Sequence, residues 1–389
     1  MSTPTTDVLV IGGGIMGASI AYHATALGLR VMVLERGTIA SGTSSACEGN
    51  ILLSDKGAGA ELDFAILSRR LWQEEADDLG ADSFEFDPKQ GVVVARHQAT
   101  ADALRPFSAG QRAAGVEVTD LDVAGVADLE PNVSRDIAGG AWYPQDAQVQ
   151  PMLATARLLW RARQRGATVH TGTGVTGFLR AADGRVTGVT TSSPTLPQVS
   201  AKWVVNAAGT WAGEVAALAG APLPIMPRRG FILVTEPLPV LIRHKVYTAE
   251  YVANVASGEA SIQTSVVVEG TQSGTILIGA SRERVGFDRA MNVGVLRRLA
   301  AQAIGVFPLL AGVSLLRTYL GFRPYCPDHL PVIGEDTRVP GLIHAAGHEG
   351  AGICLSAATG RVLAQVAAGV TPEFDLSHFR PDRFTETAA

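Results

Sequence analysis

Three glycine-bearing clusters and one arginine are placed in this chain where a ligand can be held or charge stabilised. Gly12-Gly13-Gly14-Ile15-Met16-Gly17 satisfies G-x-G-x-x-G. In that spacing Gly12 permits a tight turn, Gly14 lets the backbone approach a pyrophosphate, and Gly17 lets a helix pack closely on a strand. The helix that opens at Ile15 and Met16 turns its N-terminus toward the anion. Glu35 follows a second apolar run, where its carboxylate accepts hydrogen bonds from ribose hydroxyls. A carboxylate there argues against a 2′-phosphate, and Arg36 is the one neighbour of opposite sign. The segment 203–212 ends an apolar run in Ala207-Ala208-Gly209, with Trp211 next, and small residues there let a second stretch of chain pass close to a ligand. Gly347-His348-Glu349-Gly350-Ala351-Gly352-Ile353 is another glycine-rich helix start, suited to negative charge. Taken locally, each of the last two clusters is also compatible with a plain turn. Arg323 offers a guanidinium that pairs with a carboxylate through two parallel hydrogen bonds, or else forms a structural ion pair.

These groups need elements to position them. Val8–Ile11 is a short apolar, β-branched run of the kind buried on both faces of a sheet. A helical pattern over 15–27 ends at Gly28, and Val31–Leu34 is a second buried strand, so the unit is β-α-β with parallel strands. Helices are expected over 60–79, 152–165 and 296–307, and from the glycine-rich cluster to Val366. Alternation of polar and apolar residues over 231–235, 261–268 and 275–280 predicts an antiparallel sheet with one wet face.

Bulk properties exclude several classes. With 47% hydrophobic and 18% charged residues the chain suits a packed α/β protein of two or three domains. A net charge of -5 gives no footprint for nucleic acid. Cys47, Cys326 and Cys354 are too few and too scattered for a disulfide framework or a self-contained iron–sulfur cluster, and fit reduced thiols in the cytoplasm. The uncharged stretch between Asp7 and Arg30 has the hydropathy of a membrane span, but Gly12–Gly14, Tyr22 and His23 suit a strand, turn and helix better. No metal site is expected.

Taken together the blocks resemble the D-amino-acid oxidase and glycine oxidase family of FAD-dependent amine oxidoreductases. The resemblance rests on the N-terminal motif, V-V-N-A-A-G-x-W, Gly321-Phe322-Arg323-Pro324 with Pro331–Gly334, and the final G-H-x-G-x-G, and it covers nearly the whole chain. Ser41–Asn50 is similar to a family segment that runs beside the flavin. Its C-E-G-N wording looks closest to the β subunits of heteromeric dye-linked dehydrogenases (D-hydroxyproline dehydrogenase, opine oxidases, hydrogen cyanide synthase).

The resemblance implies a Rossmann-like FAD-binding domain (1–85, 146–220, 321–389) interleaved with an antiparallel-sheet substrate domain (86–145, 221–320). It implies FAD contacts from Gly12, Gly14, Ile15, Met16, Gly17, Glu35, Arg36, Ser44, Ser45, Gly49, Asn50, Leu52, the backbone at Val175, Ala208, Gly209, Trp211 and residues 347–353. Arg323 matches the arginine that holds the substrate carboxylate, His348 lies by the flavin, and Tyr251 or Tyr247 supplies an aromatic of the substrate domain. The FAD is expected to be non-covalent. The position used for a cysteine linkage in monomeric sarcosine oxidases is Gly321, Cys326 does not align with it, and Gln145 stands where a histidine would carry FMN.

The implied reaction is oxidation of the C–N bond of an amino or secondary-amino acid, with hydride passing to flavin N5. The subgroup resemblance implies a partner subunit with its own flavin or iron–sulfur centre. Two alternatives stand beside it: a stand-alone oxidase that makes hydrogen peroxide, and a flavin-bearing subunit of an electron-transfer complex that is not itself catalytic.

Overall fold

Because the strand Thr5–Ile11 lies at the centre of a parallel sheet, its residues from Val8 onward have no wet face, and that is why its apolar run is unbroken. The computed structural model describes residues 3–255 and 257–384. The first sheet runs Val332–Glu335, Leu342–Ala346, Gln198–Asn206, Thr5–Ile11, Val31–Leu34, Thr168–His170, with the hairpin Val175–Arg180 and Val186–Thr191 attached to Gln198–Asn206. All neighbours along that path are parallel except the edge strand Val332–Glu335. The helix Ile15–Ala26 packs between helices Pro151–Gln164 and Gly352–Ala368, and eleven of its residues are buried. That uncharged stretch is therefore a core element. Residues Glu349–Ala368 are long and apolar enough to cross a membrane by length and composition, yet the stretch packs on Ile15–Ala26 and Ala60–Leu79 as a core helix does.

The second sheet has eight strands: Leu315–Tyr325, Met226–Thr235, Ile276–Arg282, Gln263–Gly270, Lys245–Thr248, Gly91–Ala95, Gly139–Tyr143, Thr119–Leu121. It is antiparallel apart from Lys245–Thr248 on Gly91–Ala95, a long-range pairing that the alternation pattern does not reveal. Its outer core packs on the helix Val293–Val306.

Two expectations shift. The strand Leu315–Tyr325 is one continuous element of the second sheet, so the boundary set at residue 321 falls inside it, and Gly321–Arg323 are carried by that sheet. The helix expected from 296 begins at Val293, where the Asn292 side chain accepts from Val295 N.

Candidate active site

A cavity of about 420 Å³ lies between the two sheets. Its first end is built by the N-terminal unit. A Cβ at Gly12 would stand 2.5 Å from the Ala207 carbonyl oxygen, and one at Gly17 would stand 2.0 Å from the Gly12 oxygen. Only glycine lets strand, turn and helix approach so closely, so Gly17 acts by packing and does not itself line the cavity. The Ser44 hydroxyl accepts from Ile15 N at 3.0 Å. Its own proton stays available to an anion, beside amides that a helix start leaves without intrahelical partners.

Glu35 is more occupied than the motif implies. Its two oxygens accept from Gly13 N at 2.8 Å and Gly37 N at 2.7 Å, which fixes the turn and leaves the remaining lone pairs to the cavity. Arg36 lies 4.1 Å over the Trp211 ring, and Trp211 stacks on Phe287 with ring centres 5.3 Å apart. Phe287 in turn meets Phe322 edge-on, so an aromatic row ties the first sheet to the strand that carries Arg323. Asn206 shapes the small-residue strand end, donating to Ala212 O at 2.9 Å while its own oxygen accepts from Ala208 N.

The opposite end is lined by Cys47, Glu48, Gly230, Ile232, Tyr251 and Arg323 together with the glycine-rich loop. Arg323 donates from Nη1 to Ser281 O at 2.9 Å, and a Cβ at Gly230 would stand 2.2 Å from that nitrogen, so Gly230 makes its room. Burial works to lower the Arg323 pKa, with neighbouring Arg282 acting the same way. Among the described residues no carboxylate lies within ion-pair distance of Arg323, so its charge faces the cavity without a counter-ion.

Tyr251 is buried, lies against Arg282 at 4.6 Å, and burial raises its pKa. Tyr247 is behind it with its hydroxyl on Ser54 Oγ, so Tyr251 is the aromatic that reaches the cavity. His348 is also buried. Thr359 Oγ1 donates to Leu355 O and therefore accepts from His348 Nε2, which leaves Nδ1 as a bare lone pair. Burial pushes the imidazole down to about 3, so His348 is a neutral wall residue and carries no charge at neutral pH.

Of the cofactor-binding residues read from the sequence, Gly12, Gly14, Ile15, Met16, Glu35, Arg36, Ser44, Gly49, Asn50, Val175, Ala208, Gly209, Trp211, His348, Glu349, Gly350, Gly352 and Ile353 line this one cavity. Ser45, Leu52, Gly347 and Ala351 do not. Ser45 donates to Gly42 O inside a tight turn, and the Leu52 carbonyl accepts from Lys56 Nζ. Gly347 serves the turn with φ +73°, facing Cys326 and Val332, while Ala351 N closes a turn on His348 O.

Glu349 lines the wall but turns its carboxylate to Arg228, fully buried on the second sheet, and to His329 at 3.2 Å. Burial works to raise the Glu349 carboxyl, but His329, Arg228 and the charge of Arg282 outweigh it and hold it below the usual range. Cys47, Glu48, Gly230 and Ile232 were not singled out from sequence; C-E-G-N was the sole signal, and only for the first two. Among the described residues no group of His, Cys, Asp and Glu is arranged to hold a metal.

The sequence model of the DAO family, described as FAD dependent oxidoreductase, matches residues 7–366. The bifunctional protein ThiO/ThiG of Nostoc sp. is 30% identical over 404 residues, covering 99% of this chain and 56% of that protein. The chain thus spans little more than half the length of that relative. The hydrogen cyanide synthase subunit HcnC of Pseudomonas aeruginosa is 29% identical over 422 residues, 98% of this chain and 96% of HcnC. The crystal structure of glycine oxidase from Geobacillus kaustophilus superposes with a TM-score of 0.87 at 27% identity, covering 98% of this chain and 99% of the other.

Proposed function

This chain belongs to the DAO family of FAD-dependent oxidoreductases, and on that premise we propose that it oxidises the C–N bond of an amino or secondary-amino acid of the D-proline, D-hydroxyproline or opine type. The observation that carries the reading is Arg323, a guanidinium without a carboxylate partner among the described residues, at one end of the cavity. A substrate carboxylate completes it.

The first end of the cavity fits the cofactor. Gly12 and Gly17 let the turn close, a Cβ at Gly14 would crowd Ser44 Oγ at 3.2 Å where the backbone must approach a pyrophosphate, Ser44 and the helix start at Ile15 face an anion, and Glu35 faces a ribose. When bound, FAD supplies the two-electron acceptor. The chain's own work is orientation. Arg323 holds the carboxylate, Tyr251 and Ile232 shape the wall, and His348 keeps that wall neutral. FAD is held without a covalent bond: a Cβ at Gly321 would meet Ala46, and the Cys326 thiol is buried outside the cavity, with burial and Asp328 raising its pKa.

Subunit HcnC of hydrogen cyanide synthase is matched over nearly its whole length, which supports a place in a multi-subunit complex, and we read the chain as the catalytic β subunit of a heteromeric dehydrogenase. Arg323→Ala should raise KM roughly tenfold to hundredfold, the loss of a charge-assisted pair, while FAD stays bound. Unchanged kinetics would sink the carboxylate assignment. Copious hydrogen peroxide from the chain alone, without a partner, would favour the stand-alone oxidase instead.

A further inference from the structure

We propose that Glu48 receives the nitrogen of the substrate, so that the cavity selects a ligand with an ammonium beside its carboxylate and rejects the corresponding hydroxy acid. The inference rests on the assignment of Arg323 to the carboxylate and adds the second half of the recognition.

Glu48 is 5% exposed and lines the cavity, yet among the described residues no donor meets its carboxylate, and its Oε1 is buried without a partner. A buried carboxylate lacking a donor is costly, and a neutral side chain of that size would avoid the cost. The nearby donors are committed elsewhere. Lys245 is engaged by Glu269 and Asn50 in close contacts, and Tyr319 donates to Cys47 O at 3.3 Å. Arg323 gives Nη1 to Ser281 O and keeps its remaining N–H groups for the cavity, and Arg282 lies over the Tyr251 ring. None of these groups donates to Glu48, and the cavity that it lines is where an occupant can bring the donor.

Position argues the same way. A Cβ at Gly279 would stand 2.3 Å from Glu48 Oε1 and 3.2 Å from Ile232 Cδ1, so the carboxylate is held against the second sheet beside Ile232. Arg323 Nη1 lies beside Gly230 in the same way. Residues 230 and 232 share one face of a strand and are about 6.6 Å apart. An α-ammonium and its carboxylate, each making its own hydrogen bond, fill a gap of that order. Gly279 leaves Glu48 its place, as Gly230 leaves Arg323 its own.

The test uses FAD-loaded wild type, Glu48→Gln, Glu48→Ala and Arg323→Ala, titrated anaerobically while flavin absorbance is followed. The probes are glycine, sarcosine, D-proline and iminodiacetate, with 2-furoate as a carboxylate lacking a basic nitrogen. Glu48→Gln should raise the half-saturating concentration of the amine probes about tenfold or more, and shift 2-furoate by less than twofold. Arg323→Ala should weaken both kinds of probe. Because Glu48→Gln removes a buried carboxylate that no donor meets and leaves Glu269 on Lys245, the ligand-free melting temperature should hold or rise, whereas a structural role would lower it. Amine titrations of Glu48→Gln within twofold of wild type overturn the proposal and leave the Arg323 assignment standing. So does a loss of FAD affinity large enough to account for the shift. If no probe perturbs the wild-type flavin, both fall together.

Discussion

Removing the Glu349 carboxylate should destabilise the protein by about 3–5 kcal/mol, because it strands a buried charge. Arg228 has no exposed side-chain surface and satisfies its guanidinium with Glu349, Ser257 O at 2.8 Å and Gln263 Oε1 at 3.0 Å. Its Nε already lacks a partner. In Glu349→Ala the two neutral acceptors remain, but nothing cancels the charge. Glu349 is 9% exposed at its side chain, so the hole opens toward the cavity and entering water holds the cost near the lower figure, about 3 kcal/mol. Glu349→Gln keeps an acceptor and should cost less. Arg228→Met with Glu349→Ala removes the stranded charge and should recover most of the loss. Urea unfolding of apoprotein gives the numbers, with FAD excluded because a ligand that binds only the folded state would mask them. The pH dependence has a fixed sign. The Glu349 carboxyl lies below its ordinary 4.5 in the folded state, so its contribution is present above that pH and is lost as pH falls through the folded value. A Glu349→Ala protein within about 0.5 kcal/mol of wild type at pH 7, or a double variant as unstable as the single one, refutes the reasoning.

Gly17→Ala should weaken FAD binding at least tenfold and cost about 1–3 kcal/mol, because the new Cβ meets the Gly12 carbonyl oxygen at 2.0 Å and pushes the helix off its turn; flavin fluorescence titration and melting read both. Gly110→Ala is the contrast: nothing lies within 4 Å in the interior of helix Gln98–Ala113, so this change should gain about 0.5–1 kcal/mol and leave FAD affinity unchanged. Asp146 is buried and its carboxyl is pushed up to about 6, so the stability it contributes is full below the unfolded value near 3.8 and is lost as pH rises through 6. Asp146→Asn should therefore flatten the fall in stability between pH 4 and 7, on the order of 2–3 kcal/mol, and an unchanged slope in urea unfolding would count against it.

How much was legible depended on whether a residue's role is local. The turn at Gly12–Gly17, its two strands and its helix are written within thirty residues even though the turn closes on Ala207, and buried parallel strands write unbroken apolar runs. The pairing of Lys245–Thr248 with Gly91–Ala95 joins segments some 150 residues apart and leaves no periodic trace. Ser45 and Leu52 sit in the right segment, but which side chains face the cavity depends on a tight turn at Thr43–Ser45 and on a two-residue strand, Asn50–Ile51. Glu48 is the extreme case. In sequence it is one letter of C-E-G-N, and its significance is the absence of a donor, which only the folded surroundings reveal.

The register of one strand pair ties these points together. Arg228 stands directly opposite Arg323, and Gly230 opposite Gly321. Side chains opposite each other on an antiparallel pair share a face, and like charges so placed repel. The pair is tolerable because Glu349 neutralises Arg228, leaving the field of Arg323 directed at the cavity. A one-residue slip would turn Arg323 to the other face and bring Gly321 away from Ala46. The loop that supplies Glu349 also supplies His348 and Gly350 to the cavity wall, so the contact that fixes the loop is the one that frees the arginine. Glu349→Ala thus removes the counter-charge of Arg228 and leaves two bare guanidiniums opposite each other on one strand pair, and its effect on amine-probe binding should exceed what the shift in loop position alone would produce.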